Sequence, residues 1–191
     1  RRVRVLAETL AAKIPASASV LDIGCGDGTI ANLIKSCNPS VTIQGIEFAP
    51  RANCMIECQA FDGFAIPHPP SSFDVCMFVD VLHHVGDLQG IERLLREACR
   101  VSRRYILIKD HLSESALDFR TLQFMDWVGN RPHGVVLPYN YQNRAQWDNH
   151  FLASGLSVND WQTRVPLYPF PFGALFGRQL HFVALLEKSE S

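Results

Sequence analysis

The sequence predicts an α/β fold in which helices cover both faces of a doubly wound, mostly parallel sheet. Short apolar runs typical of buried strands, such as 20–23 and 73–80, alternate with segments whose apolar residues recur every three or four positions. The first run leads directly into three glycines at alternate positions of 24–28, before a helical pattern over 29–36. Glycine lacks a Cβ and tolerates positive φ, so this backbone can approach a ligand closely.

Length and composition exclude several classes of protein. The chain has 191 residues and is 47% hydrophobic, which suits one α/β domain with a sizeable core. Its 18 basic and 19 acidic residues give a net charge of −1 without a Lys/Arg run, so we expect no nucleic-acid partner. No apolar run approaches the ~18 residues of a membrane span, and no targeting segment is recognised. We therefore expect a cytoplasmic protein without an integral membrane span.

The six cysteines form no C-x-x-C pair, and most lie inside apolar runs. This usage is typical of reduced, buried thiols in a cytosolic protein. The sequence predicts neither a disulfide framework nor a structural zinc site, and we assign no metal ligands.

Two carboxylates mark the edge of the sheet where a ligand is expected. Glu47 ends the second predicted strand, 41–46, roughly 20 residues beyond the glycines, where an acid meets ribose hydroxyls in doubly wound sheets. Phe61 and Asp62 offer an aromatic face and a hydrogen-bond acceptor for a purine. A solvated loop acid and an ordinary Asp-Gly turn are the alternatives. The segment between Glu47 and Asp62 is short, so we expect its helix to be reduced to about one turn.

Polar side chains also follow the next two predicted strands. The run 73–80 ends in Asp80, and His83 and His84 come directly after it. An amphipathic helix over 88–99 precedes a strand at 105–108, which is followed by Lys109-Asp110-His111. Chemistry in open α/β sheets takes place at the carboxyl ends of strands, so these groups are candidates for a shared site.

These stretches together resemble class I S-adenosylmethionine-dependent methyltransferases of the small-molecule type. VLDIGCGDG resembles the family's first motif, Glu47 its second-strand acid, FDG with Ile66-Pro67 its third motif, and FDVCMFVDVLHHV its fourth-strand motif. The resemblance covers about 17–111 and departs at the shortened segment after Glu47. It implies a seven-stranded Rossmann-like sheet whose last strand is antiparallel, with the last two strands at 154–163 and 179–186.

The resemblance also implies the cofactor, S-adenosyl-L-methionine, and the residues that hold it. The glycines would hold the methionine end, Glu47 the ribose, and Phe61 with Asp62 the adenine, while Asp80 and Val81 would close the site near the sulfonium. The full predicted set is Asp22, Gly24, Cys25, Gly26, Gly28, Glu47, Phe48, Phe61, Asp62, Asp80 and Val81.

The chemistry of the cofactor indicates what the protein must add. A sulfonium methyl is already electrophilic, so the protein aligns an oxygen or carbon acceptor and, for a hydroxyl, removes its proton. Histidine is the natural base, and His84 and His111 are the candidates. Packing in the core or at a helix start is their alternative role. Asp110 is a candidate for orienting a histidine or binding substrate, with a strand-end hydrogen bond as the alternative.

We expect a single methyltransferase domain over 1–191, with a substrate or lid insertion at about 112–151. A helix over 117–127 and a capping box opening another at 143–146 flank a long loop, 129–141. From this loop His133, Tyr139 and Tyr141 are the predicted contacts with a small-molecule acceptor; a surface excursion packed by its own aromatics is the alternative.

The role of one further segment and the function of the glycine turn each have more than one interpretation. A Pro-interrupted apolar stretch over 166–178 is compatible with self-packing, which we favour, with an acceptor wall, with a homodimer contact, or with a membrane surface. The glycine turn also suits a non-catalytic module that binds the cofactor or its demethylated product, or an NAD-dependent oxidoreductase, although the G-x-G-x-G spacing disfavours the latter.

Overall fold

The computed structural model describes residues 1–130, 138–165, 167 and 179–189. Seven strands form one sheet: β1 Ser19–Ile23, β2 Thr42–Glu47, β3 Cys58–Ala60, β4 Phe73–Val79, β5 Ser102–His111, β6 Leu156–Gln162 and β7 His181–Lys188. Their order across the sheet is β3-β2-β1-β4-β5-β7-β6. The first five strands run parallel, and β7 is antiparallel to both of its neighbours. The predicted mostly parallel sheet with an antiparallel last strand is confirmed.

Within the described residues, five α-helices accompany the sheet: α1 Arg2–Ala11, α2 Thr29–Cys37, α3 Leu88–Val101, α4 Ala116–Asn130 and α5 Arg144–Ala153. A 3₁₀ helix, Leu82–His84, follows β4. In the described part of the chain, none of the helices is long and apolar enough to cross a membrane.

The core lies on both faces of the sheet. Val75 and Met77 of β4 belong to the apolar cluster under α1 and α2, whereas Cys76 and Phe78 belong to the cluster under α3 and α5. Successive side chains of a strand point to opposite faces, so a strand covered on both sides must be apolar throughout. This explains the nearly continuous apolar run in β4.

Local hydrogen bonds fix where the helices begin. Asp87 accepts a hydrogen bond from the backbone N–H of Gly90 at the start of α3, over 2.6 Å. At α5, Asn143 and Gln146 form the predicted capping box, each side chain accepting from the other residue's backbone N–H.

The link between β2 and β3 is shorter than a helical crossover. It contains a turn in which the N–H of Cys54 donates to the carbonyl of Arg51 over 3.1 Å, where the sequence predicted about one turn of helix. β3 then pairs with β2 through only three residues. The sequence did not mark β3 as a strand, because three half-exposed residues carry no periodic apolar pattern.

Candidate functional site

The three glycines after β1 adopt left-handed backbone conformations, with φ of +77°, +59° and +75°. A Cβ on Gly24 would lie 2.6 Å from a methyl of Val81, whereas a Cβ on Gly26 would meet no atom within 4 Å. Gly24 is therefore required for close packing of the chain that follows β4. Gly26 leaves its backbone facing open space, as a ligand-binding turn requires.

Two cavities meet at Gly24. The glycine cavity has a volume of about 320 Å³ and is lined by Asp22, Gly24, Cys25, Gly26, Asp27, Ile30, Arg51, Val79 and Asp80. The aromatic cavity, of about 470 Å³, is lined on one side by Gly24, Glu47, Phe48, Phe61, Asp62, Gly63 and Phe64, and on the other by Val81, His84, Val85, Gly86, Asp87, Gly90, Arg93 and Leu94. Every predicted cofactor residue except Gly28 lines one of them. Arg51, which comes from the irregular link after β2, was not predicted from any local pattern.

Asp22 is a buried carboxyl group facing the glycine cavity. It is 3% exposed, and its Oδ1 has no hydrogen-bond partner among the described residues. Burial, together with the charge of Glu47, raises the pKa of Asp22 to about 7. A buried acceptor without a partner is costly, so this atom suits a ligand that brings a cationic donor.

Glu47 joins the end of β2 to the glycine turn. Its Oε2 accepts from the N–H of Gly26 and its Oε1 from the N–H of Phe48, each over 2.8 Å. Asp62 forms the Asp-Gly turn that was the alternative interpretation, since its Oδ1 accepts from the N–H groups of Phe64 and Ala65. Asp62 also lines the aromatic cavity, so the turn and a ligand contact are compatible.

A third cavity lies at the carboxyl ends of β4 and β5. This histidine cavity has a volume of about 270 Å³ and is lined by Arg2, Asp80, His83, His84, His111, Met125 and Asp126. It shares Asp80 with the glycine cavity and His84 with the aromatic cavity. His84 and His111, the predicted bases, therefore line one cavity that adjoins both halves of the predicted cofactor site.

A buried polar network supports the histidine cavity. Oδ1 of Asp110 lies 2.6 Å from Nδ1 of His83, and its Oδ2 accepts from the N–H of Leu82 over 2.9 Å. Lys109 is fully buried, pairs with Asp80 and lies 3.4 Å from Nδ1 of His181. The predicted role of Asp110 in orienting a histidine thus has the required geometry.

Asp80 directly follows the last residue of β4 and has an unusual backbone conformation. Its φ of +57° is left-handed, which is uncommon for a residue other than glycine. Its backbone N–H donates to the carbonyl of Lys109 over 2.9 Å, and its carboxylate is held by the same lysine. These two bonds hold the strained residue where the glycine and histidine cavities meet.

The charges in the network shift several pKa values in opposite directions. Burial alone would raise the pKa of Asp110, but the neighbouring His83 and His111 together outweigh it, so the pKa lies well below the usual carboxyl range. Burial lowers the pKa of His83, and the carboxylates of Asp110, Asp80 and Asp126 together more than compensate, which leaves that pKa raised. Burial and the charge on His83 lower the pKa values of His84 and His111.

Residues from the 112–151 segment line the histidine cavity or pack against the residues that line it. Asp126 of α4 lines the cavity and accepts a hydrogen bond from the hydroxyl of Tyr141. The ring of Tyr141 packs against those of His83 and His111, and Tyr139 packs against Tyr141. Tyr141 is thus placed beside the predicted site with its hydroxyl engaged by the protein.

Some predicted residues cannot be placed, and some residues of the site were not predicted. His133 and the stretch 166–178, apart from Leu167, lie outside the described residues. Arg2, Asp126 and His181 carried no local motif. The spacing of Asp126 could have indicated its position. It lies four residues after Leu122, which is buried, so both side chains lie on the same face of α4.

The fold and the glycine turn define an α/β domain built to hold a nucleotide-like ligand at the carboxyl edge of its sheet. Residues 1–160 match the family model described as a methyltransferase domain. The chain therefore belongs to this family, and it is an S-adenosylmethionine-dependent methyltransferase domain of class I. S-adenosylmethionine is the cofactor that this class uses.

The chain is similar to two curated relatives with different acceptors in their names. It is 29% identical over 91 residues, 44% of this chain and 38% of the relative, to tRNA (carboxymethyluridine(34)-5-O)-methyltransferase of Schizosaccharomyces pombe. It is 30% identical over 113 residues, 51% of this chain and 40% of the relative, to 27-O-demethylrifamycin SV methyltransferase of Amycolatopsis mediterranei. The matched stretches thus span about two fifths of each relative, and the two names point to different acceptor classes.

Solved structures agree on the fold. An S-adenosylmethionine-dependent methyltransferase from Mesorhizobium loti has a TM-score of 0.69 and 16% identity, covering 95% of this chain and 98% of that one. At this identity the likeness concerns the fold, while the acceptor must be argued from the residues of the site.

Proposed function

We propose that this domain transfers the methyl group of S-adenosylmethionine to an oxygen or carbon atom of a small molecule held in the histidine cavity. The observation that carries the proposal is the adjacency of the three cavities. The glycine and aromatic cavities meet at Gly24, and the histidine cavity adjoins both through Asp80 and His84. A ligand spanning the first two cavities would present its central part to the third.

The residues fit the two ends of the cofactor. Asp22 offers a buried carboxyl oxygen without a partner to an ammonium group, beside the open backbone of Gly26. At the other end, Glu47 supplies carboxylate oxygens for ribose hydroxyls, and Phe48 and Phe61 supply aromatic surface for the adenine. The cofactor supplies an electrophilic methyl group, so the task of the protein is alignment and exclusion of water.

His84 is the favoured group for taking a proton from an acceptor hydroxyl. It lines both the aromatic and the histidine cavities, and its Nδ1 has no hydrogen-bond partner among the described residues. Nδ1 of His111 lies 3.2 Å from Nδ1 of His83, and its Nε2 lies 4.0 Å from Oδ1 of Asp126. Of the two predicted bases, His84 is therefore the one whose Nδ1 has no partner within the described part of the chain.

A small-molecule acceptor is favoured over a nucleic acid. The histidine cavity holds about 270 Å³, close to the volume of a small ligand site, and the chain carries a net charge of −1 without a basic run. The segment 112–151 contributes Met125 and Asp126 to this cavity, which supports its role in acceptor specificity. His133, Tyr139 and Tyr141 are proposed to complete the acceptor side.

The test has two stages. Calorimetry with S-adenosylmethionine and, separately, with NAD measures which cofactor binds. The same protein is then incubated with methyl-labelled S-adenosylmethionine and either a panel of small hydroxyl-bearing and carbon-acceptor molecules or a total tRNA fraction, and demethylated cofactor is measured by mass spectrometry.

Each result has a clear meaning. Binding of S-adenosylmethionine with turnover on a small molecule is expected. Turnover on tRNA alone would overturn the acceptor assignment, and binding without turnover on any acceptor would favour a non-catalytic module. Preferential binding of NAD would overturn the proposed function altogether.

A further inference from the structure

We propose that His83, Asp110 and His111 form a binding site for one divalent transition-metal ion, with Zn²⁺ as the probe, at the floor of the histidine cavity. Their three potential ligand atoms lie close together near the ends of β4 and β5, within 4.8 Å of one another. The Nδ1 atoms of the two histidines lie 3.2 Å apart, and Oδ1 of Asp110 lies 2.6 Å from the first and 3.6 Å from the second. In a tetrahedral zinc site with bonds of about 2.0–2.1 Å, ligand atoms lie about 3.3 Å from each other.

Oδ1 of Asp110 also accepts a hydrogen bond from the backbone N–H of His111 over 2.7 Å, so the atoms that hydrogen bonds do not satisfy together are the two imidazole Nδ1 atoms. A hydrogen on Nδ1 of His83 that points to Asp110 leaves no lone pair on that nitrogen for His111. At 3.6 Å, the Asp110 oxygen is also too far for a hydrogen bond from Nδ1 of His111. A cation at the centre accepts a lone pair from all three atoms at once, which removes the conflict.

One carboxylate also lies near the second nitrogen of each imidazole. Oxygens of Asp126 lie 3.6 Å from Nε2 of His83 and 4.0 Å from Nε2 of His111, on the far side of each ring. Metal-bound histidines commonly direct their second N–H to a carboxylate, which fixes the ring and the tautomer. Tyr141 in turn donates to Asp126 and fixes that carboxylate.

The charge of the cluster suits a dication. Asp80, Asp110 and Asp126 face the site, against the ammonium of Lys109 and the guanidinium of Arg2. A metal ion displaces the proton from each ligating nitrogen, and with the histidines neutral the three carboxylates outnumber the two cations, of which Lys109 is paired with Asp80. The proposed ligands are 2%, 0% and 5% exposed, whereas the cavity side remains open.

Two nitrogens and one carboxylate oxygen with an open position are the ligand set of catalytic rather than structural sites for Zn²⁺ and related metals. His83 and His111 both line the cavity in which the acceptor is proposed to lie, so a further ligand would reach a bound metal from that cavity. If the proposed function holds, the acceptor is therefore a molecule with an oxygen donor that binds the metal. This consequence rests on the proposed function, whereas metal binding does not.

The sequence had indicated no metal ligands, because His83 lies in the 3₁₀ helix after β4 while Asp110 and His111 end β5, and no local spacing links the two segments. A second cluster of possible metal ligands must be distinguished from this one in the binding experiment. Cys25, Cys54 and Cys58 also bring their sulfur atoms together, beside the glycine turn. Thiolate and imidazole sites differ in their Co²⁺ absorption, since only thiolate ligands give intense sulfur-to-metal charge-transfer bands.

The experiment measures metal binding by the protein without cofactor or acceptor, so its outcome is independent of methyl transfer. Chelator-treated protein is titrated with Zn²⁺ against a chromogenic chelator, and with Co²⁺ while absorption is recorded. We expect one high-affinity ion per chain and a Co²⁺ spectrum without sulfur charge transfer. Asp110→Asn and His111→Asn should weaken binding more than about 100-fold, and Asp126→Asn by about 10- to 100-fold.

Matched controls are available in the chain. His150 is a buried histidine that faces Glu92 at 3.3 Å, so His150→Asn should leave binding unchanged. The triple variant Cys25→Ser/Cys54→Ser/Cys58→Ser should also retain it. Circular dichroism establishes that each variant is folded.

If the ligand variants do not fold, nitrogen-15 NMR of the wild-type histidines replaces them. Zn²⁺ should then shift Nδ1 of two histidines and leave their Nε2 protonated. Absence of binding, binding that survives the ligand variants, or binding lost with the cysteines would each overturn the proposal.

Discussion

Oε2 of Glu47 accepts a hydrogen bond from the backbone N–H of Gly26 over 2.8 Å, across the ends of β2 and β1. Glu47 lines the aromatic cavity and Gly26 lines the glycine cavity. The bond therefore joins the two halves of the proposed cofactor site. It also holds the carboxylate in place before a ligand arrives, which reduces the ordering cost of binding.

Replacing Glu47 should weaken binding of the cofactor rather than the stability of the fold. Glu47→Ala removes the acceptor proposed for the ribose hydroxyls, and hydrogen bonds to a charged group contribute about 1.5–3 kcal/mol. We expect S-adenosylmethionine affinity to fall roughly 10- to 100-fold by calorimetry. Glu57→Ala is the matched control, because Glu57 is an exposed acid just before β3. Equal affinities for the two variants would contradict the assignment.

Two glycines with nearly the same backbone conformation should respond differently to alanine. Gly24 and Gly155 have φ of +77° and +71°, so each substitution costs about 1 kcal/mol of conformational strain. Only at Gly24 does the new Cβ approach another side chain, Val81, at 2.6 Å. Gly155→Ala should lose about 1 kcal/mol in chemical denaturation and keep its cofactor affinity.

Gly24→Ala should lose more stability than Gly155→Ala and also bind the cofactor poorly. The double variant Gly24→Ala/Val81→Ala should recover part of that stability, because the contact with Val81 is removed. Failure to recover any stability would show that the contact is not the cause.

Asp22 should make stability depend on pH. Its folded-state pKa of about 7 lies above the ordinary value of 3.8, so the folded protein holds a proton that the unfolded chain releases. The free energy of unfolding should therefore fall as pH rises from about 4 to about 7, by roughly 4 kcal/mol from this group. Asp22→Asn should remove that component.

The measurement is urea denaturation of the cofactor-free protein at several pH values, comparing wild type with Asp22→Asn. The difference between the two isolates Asp22 from other titrating groups. Parallel pH profiles for the two proteins would contradict the raised pKa.

His84 should matter for turnover and not for cofactor binding. If it takes the acceptor proton, His84→Ala should lower kcat on the acceptor found in the transfer assay by about 10²- to 10⁴-fold. Cofactor affinity measured by calorimetry should change little. A variant with unaltered kcat would show that alignment of the acceptor is sufficient.

Several features of this protein follow from its sequence alone. The apolar runs, the glycine turn and the capping box at Asn143 depend on residues within a few positions of each other, so the pattern predicts them. The same local reasoning placed Glu47 at the end of β2 and His84 after β4. This reasoning did not predict β3, because three residues are too few to show a periodic apolar pattern. β3 belongs to the sheet through backbone pairing with β2.

Only the tertiary structure decided which polar residues meet. Val79 pairs with Lys109 in the register of β4 with β5, and this brings His83 next to Asp110 from positions far apart in the chain. The packing of α4 then adds Asp126 to the cluster. Strand register and helix packing are set by burial of the whole core rather than by neighbouring residues. The sequence therefore determined the proposed cofactor side of the site, and the folded chain determined the side at which the acceptor is proposed to bind.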